Sequence, residues 1–273
     1  MRRIKLLLTL AVLLAAPLAR PASAEVSEAE RAARWTDLRE QIFGERTVAD
    51  GAGLLAIEAP DRAADAALVP VRITVAEPLR GKLSQLYFVV DENPSPLAGR
   101  FAFGPAADRS FIATRVRVND YTYLHAVAET ADGKLYGVAR FIKAAGGCSA
   151  PAGKDQALAM ERLGRMKLAL QGAPRVGAPV SAHLLISHPN NSGMQMDQLT
   201  RNYIPADFLR QTRITYNGEL VLALESDISI SEDPSFTFGF VPSAPSGELK
   251  AEIADSKDRH FEQSWPVRPA PGS

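Results

Sequence analysis

Apolar and polar side chains alternate with a period of two in one short run after another, and this pattern constrains the fold more than any other feature of the chain. Val69 to Val75, Leu83 to Val90, Phe101 to Phe103, Phe111 to Val118, Tyr121 to Glu129 and Lys134 to Ile142 read as half-buried strands. Arg165 to Leu170, Val180 to Ser187, Phe208 to Tyr216, Glu219 to Ser226, Ser235 to Val241, Gly247 to Asp255 and Phe261 to Val267 repeat the pattern in the second half. Turn residues part the runs at Arg80-Gly81-Lys82, Asn93-Pro94-Ser95-Pro96, Asn119-Asp120 and Asp132-Gly133, and Asn217-Gly218 is a strong hairpin signal. The spacing predicts an all-β fold of two β-sandwiches. One helix is expected, over Ser27 to Phe43, where Ala33, Trp35, Leu38, Ile42 and Phe43 recur at near-helical spacing. Ser27 and Glu30 form a capping box at its start, and Gly44 ends it. Its apolar stripe is expected to pack on the first sheet, with a partner-binding role as the alternative.

Two features bear on location and partners. The basic start Met1-Arg2-Arg3-Ile4-Lys5, an apolar run from Leu6 to Leu18 and the small-residue site Ala22-Ser23-Ala24 read as a secretory signal peptide over 1–24, which implies a soluble periplasmic protein. No cysteine follows that run closely enough for a lipid anchor, and no later stretch is long enough to span a bilayer. Lys plus Arg and Asp plus Glu are 31 each, so nothing steers the chain to nucleic acid or a membrane surface, and partners should be proteins or small molecules. Gly51-Ala52-Gly53-Leu54-Leu55-Ala56 superficially matches a dinucleotide fingerprint, but Glu58-Ala59-Pro60 stands where its helix should begin; a turn into a strand from Leu54 to Glu58 is the better reading. No cofactor is implied.

Between the halves lies Ala144-Ala145-Gly146-Gly147-Cys148-Ser149-Ala150-Pro151-Ala152-Gly153, with the only cysteine in 273 residues. One cysteine makes no internal disulfide. Free cysteine is commonly a buried small hydrophobe, but Gly146 and Gly147 admit nearly any backbone conformation and Pro151 resists regular structure. Cys148 is therefore expected on a mobile, solvated linker over 144–163, whose stretch from Lys154 to Leu163 is coil or one short helix. Lys143 and Lys154 flank it and would raise its thiolate fraction weakly. Elsewhere, Arg115 and Arg117 share the strand face opposite Val116 and Val118, read as a solvated face in preference to an anion site. His125, His183, His188 and His260 show no metal-ligand spacing, so no metal is expected. A thiol hydrolase built from Cys148 with His188 or His260 is the minority reading, because a swinging thiol suits preorganised catalysis badly.

Ala63-Ala64-Asp65-Ala66-Ala67-Leu68-Val69-Pro70-Val71, Asn93-Pro94, Thr114-Arg115-Val116 and Gly146-Gly147-Cys148 together resemble the sulfur-oxidation carrier subunit SoxY. Leu185-Ile186-Ser187-His188-Pro189, Tyr203-Ile204-Pro205, Tyr216-Asn217-Gly218 and Asp233-Pro234-Ser235-Phe236-Thr237-Phe238 resemble its partner SoxZ. The resemblance implies a fused SoxYZ-like carrier associated with quinoprotein dehydrogenases, with immunoglobulin-like sandwiches at 25–143 and 164–273. It also implies that Cys148 attaches sulfur intermediates covalently, with Gly146 and Gly147 as the joints of the arm, and that the chain carries cargo for partner redox enzymes such as Sox cytochromes, hydrolases or a dehydrogenase system. A non-catalytic assembly module with an incidental thiol is the rival. One departure stands out: Ser149-Ala150-Pro151 and a second domain follow the cysteine where the SoxY family ends, so the arm is tethered at both ends and reaches about 15 Å.

Overall fold

The computed structural model describes residues 26–151, 153 and 156–268; the expected signal peptide and Lys154 lie outside them. The helix α1 spans Glu28–Phe43, and its capping box forms as expected: Glu30 N donates to Ser27 Oγ, and Ser27 N donates to the Glu30 carboxylate at 2.8 Å. Two short helices follow, α2 at Glu77–Arg80 and α3 at Gln156–Glu161.

Fifteen strands among the described residues form two sheets. The first half contributes β1 (Val48–Asp50), β2 (Leu55–Glu58), β3 (Val69–Val75), β4 (Leu83–Val90), β5 (Leu97–Phe103), β6 (Ala107–Val116), β7 (Thr122–Thr130) and β8 (Leu135–Ile142). The second half contributes β9 (Met166–Gln171), β10 (Val180–Ile186), β11 (Leu209–Tyr216), β12 (Glu219–Ser226), β13 (Ser235–Phe240), β14 (Gly247–Asp255) and β15 (His260–Val267). The nine-stranded sheet runs β1-β8-β7-β4-β5-β12-β11-β14-β15, and the six-stranded sheet β2-β3-β6-β13-β10-β9.

Both sheets cross from one half to the other. Antiparallel pairing of β5 with β12 sets Phe101 opposite Leu224, and that of β6 with β13 sets Ile112 opposite Phe238. Each half would otherwise leave two strand edges open, and edges recruit strands; here each closes the other's. One apolar cluster fills the space between the sheets and draws on both halves, with Val71, Phe88, Phe101 and Ile112 from the first and Leu184, Leu222, Phe236 and Ile253 from the second. The two halves are joined edge to edge within the chain, an arrangement the sequence leaves open.

On the opposite face of the nine-stranded sheet, α1 packs Phe43 edge-on against Tyr87 at 5.0 Å and stacks Trp35 on His125 at 3.6 Å. The alternation of β4 explains the choice: Leu86 and Phe88 face the sandwich interior while Tyr87 faces the helix. Asn217 and Gly218 take φ of 48° and 83°, the paired left-handed geometry that a two-residue hairpin needs, and join β11 to β12. No helix among the described residues is long and apolar enough to cross a membrane.

Candidate functional site

Beyond β8 the chain is stitched down residue by residue. Lys143 N donates to Asp61 O and Ala63 N to Lys143 O. Gly146 N then donates to Asn119 O and Gly147 N to Val118 O, both at 2.9 Å, and Ser149 N turns back to Gly146 O at 3.2 Å. Gly146 occupies the left-handed region at φ 79°. A Cβ on Gly147 would stand 2.1 Å from Ala66 O and 2.7 Å from Val118 O, so only glycine lets the backbones meet there. The two glycines serve a tight, docked turn, which corrects their reading as free joints in this state.

Cys148 is 0 % exposed, not solvated as expected. It belongs to neither apolar cluster of the core. Ser192 Oγ donates to its carbonyl, Gln195 Nε2 donates to Ala150 O at 3.2 Å, and Gly153 N donates to Glu232 Oε2 at 2.9 Å. Burial pushes the thiol up to about 11, and the field of Arg117 acts against that rise. A protonated thiol held behind a few hydrogen bonds is inert while it stays docked, because the thiolate is the nucleophile.

Arg117, read from the sequence as part of a solvated face in preference to an anion site, is buried instead. It is 1 % exposed, and its Nη1 donates to Ile230 O at 2.6 Å and to Ile228 O at 3.3 Å. Asn93 Nδ2 holds the carbonyl of Arg117 at 2.8 Å, and Asn93 Oδ1 accepts from Asn119 N. Burial lowers the pKa of this guanidinium, while the negative forms of Cys148 and Glu232 oppose the fall. The expected solvated arginine face fails for a physical reason: residues 228–231 of the other half lie over the end of β6, with Val116 bridged to Ile230. Arg115 is half-buried and donates to Asp233 O at 2.9 Å.

The sequence matches two protein-family models, sulfur oxidation protein SoxY over residues 39–148 and sulphur oxidation protein SoxZ over residues 167–266. The chain belongs to these two families, one in each half. The SoxY match stops on the cysteine itself. Among solved structures, the sulfur carrier protein SoxY from Chlorobium limicola f thiosulfatophilum is 25 % identical over 42 % of this chain and 96 % of its own, with a TM-score of 0.37. A β-glycosidase from Bacteroides vulgatus aligns at 8 % identity over 78 % of this chain and 24 % of its own, with a TM-score of 0.24. Among curated proteins no sequence match is found.

The thiol enclosure is thus a joint product. The SoxY half supplies Cys148, Arg117 and Asn93, and the SoxZ half supplies the cover from residues 190–195 and 228–233. Buried polar groups of the cover are satisfied: Asn190 Nδ2 donates to Ile230 O and its Oδ1 accepts from Leu209 N, Ser229 Oγ donates to Ser95 O, and Ser231 Oγ donates to Ala67 O. A cavity of about 450 Å3, lined by Arg115, Arg117, Ala150, Pro151, Gln195 and Glu232 among others, adjoins the turn.

His125, His183 and His188 are engaged by groups other than the sulfur. His125 Nδ1 pairs with Asp91 at 2.9 Å, and His183 Nε2 meets Ser235 Oγ at 2.8 Å. His188, Asp207 and Asp255 bring one possible ligand atom each within 4.8 Å of one another, a grouping the sequence spacing does not reveal. The residues do not fit a cation. His188 Nδ1 accepts from Asn190 N, which places the ring proton on Nε2, the nitrogen 3.5 Å from Asp255 and 3.6 Å from Asp207. Arg259 already bonds both carboxylates. The cluster is an internal charge network of the SoxZ half that ties Asp207, which precedes β11, to Asp255 at the end of β14 through Arg259.

Proposed function

We infer from the SoxY and SoxZ memberships a carrier role in sulfur oxidation. We propose that the chain is a periplasmic carrier that binds sulfur intermediates covalently on Cys148 and presents them to redox enzymes of the Sox type or of a quinoprotein dehydrogenase system, and that the docked turn is its closed state. The observation that carries this reading is the position of the sole cysteine at the last residue of the SoxY match, on a turn covered by a loop of the SoxZ half. The leader over Met1–Ala24, outside the described residues, would direct export.

Release of the turn breaks the bonds of Gly146 to Asn119, Gly147 to Val118, Ser192 to Cys148 and Gln195 to Ala150. At about 0.5–1.5 kcal/mol net for each, closing is favoured by roughly 2–6 kcal/mol. That gap keeps the open form minor yet within reach of a partner's binding energy. The closed state shields the sulfur, and the open one exposes a thiol of ordinary acidity to enzymes that supply the redox chemistry.

Intact mass of protein purified without reductant from cells given thiosulfate tests the reading. A sulfur adduct that disappears in Cys148→Ser is the expected result. A mass equal to the bare polypeptide under thiosulfate, sulfite and sulfide alike would overturn it. The complete burial of Cys148 favours a second reading, in which the halves form an assembly module for a dehydrogenase or cytochrome and the thiol merely packs. That reading predicts the bare mass throughout and unchanged partner binding in Cys148→Ser.

A further inference from the structure

A guanidinium sealed from water is costly unless anions or several acceptors face it. Arg117 has two backbone carbonyls on Nη1 but no paired anion. Among the described residues it joins no salt bridge, and its Nε is buried with no hydrogen-bond partner. Geometry places it beside the turn: Gly147 N donates to the carbonyl of Val118, the residue after Arg117, and Arg117 lines one cavity with Ala150 and Pro151, which follow Cys148 within three residues; the negative charges of Glu232 and of an ionised Cys148 act on the guanidinium in the same direction. Arg115, whose Nε is also buried and unpartnered, lines the same 450 Å3 cavity, which opens beside Ala150 at the end of the turn. The cavity's carboxylates are otherwise occupied and closer to water. Asp65 is exposed and takes Ala67 N, Glu232 is half-buried and takes Gly153 N, and Asp233 is half-buried and takes His188 N. Solvent screens these three, whereas Arg117 keeps its field.

We propose that Arg117, with Arg115 beside it, is a counter-ion for anionic cargo: it holds the turn closed when Cys148 bears a negatively charged group such as an S-sulfonate or S-thiosulfonate, and holds it less firmly when the group is neutral. The inference rests on the carrier reading and adds to it a specificity, since the load's charge sets how readily the carrier opens. A charge-assisted hydrogen bond in a site closed to water changes such an equilibrium by about tenfold or more.

Two alkylating agents isolate charge from size. Iodoacetate and iodoacetamide each react by attack of the Cys148 thiolate on the CH2 carbon with departure of iodide, and leave carboxymethyl, singly negative, or carbamidomethyl, neutral. Hydrogen exchange at the Gly146 and Gly147 amides, which bond Asn119 O and Val118 O only in the docked turn, reports closure in the full chain. The expected result is exchange about tenfold slower or more with the anionic group than with the neutral one, a difference lost in Arg117→Met and partly kept in Arg117→Lys. Equal exchange of the two adducts in the unsubstituted chain overturns the proposal, a comparison that holds even if Arg117→Met does not fold. A difference that persists undiminished in Arg117→Met or Arg117→Lys also overturns it. If neither reagent modifies Cys148 in the folded chain, the carrier reading itself fails and takes this inference with it.

Discussion

A thiol cut off from water gives up its proton reluctantly, and the acid strength of Cys148 therefore differs between the docked turn and an open one. Its pKa stands at about 11 when docked, against 9.0 for the group in water. Because burial raises it, the protonated thiol favours the closed state. That contribution is fully present below pH 9 and is lost as pH climbs from 9 to 11, roughly 2–3 kcal/mol in all. The rate of Cys148 alkylation in the native protein should accordingly keep rising to about pH 11. A plateau near pH 9, the behaviour of an exposed thiol, would contradict a buried resting state. The lone thiol and its glycines are legible in the sequence, yet their meaning is not. A glycine says that a Cβ is unwelcome; at Gly147 the cause is the carbonyl of Ala66, brought close by the fold and invisible along the chain.

Among elements, the loop of the SoxZ half that covers the thiol is the part whose removal should be felt first. Ser192 Oγ donates to Cys148 O and also accepts Met194 N. Ser192→Ala should speed native alkylation of Cys148 by about twofold to tenfold, the worth of one net hydrogen bond, with little change in global stability. An unchanged rate, read by mass spectrometry over time, would remove that loop from the gate. Regular elements were the legible ones. Val69–Val75 and Leu83–Val90 form strands over the ranges their alternation predicts, and Ser27 with Glu30 caps α1. β1 escaped because three residues in parallel with β8 carry no periodic signal. Arg117 escaped because alternation assigns a side chain to a face of its strand, not to what another domain lays over that face.

At the scale of the whole molecule the two families share sheets as well as a chain. Antiparallel pairing across β5 and β12 and across β6 and β13 joins the two matched domains through both sheets, and shared sheets predict cooperative unfolding. A chain cut between residues 151 and 156, with both pieces co-expressed, should remain a one-to-one complex with a single melting transition, whereas either piece alone should aggregate through its bared edge strands. Two independent transitions, or soluble monomeric pieces, would contradict the shared-sheet architecture. In the proposed carrier reading, delivery of cargo falls to local opening of the turn between Ala144 and Pro151.

That opening is open to direct test through the rate at which a small disulfide reagent modifies Cys148 in the native protein as urea is raised well below the unfolding transition. A local release exposes little surface, so the rate should exceed that of global unfolding and stay nearly flat with urea. A rate that equals global unfolding and climbs with its full urea dependence would show that Cys148 leaves its enclosure only when the protein unfolds, and would contradict the carrier account.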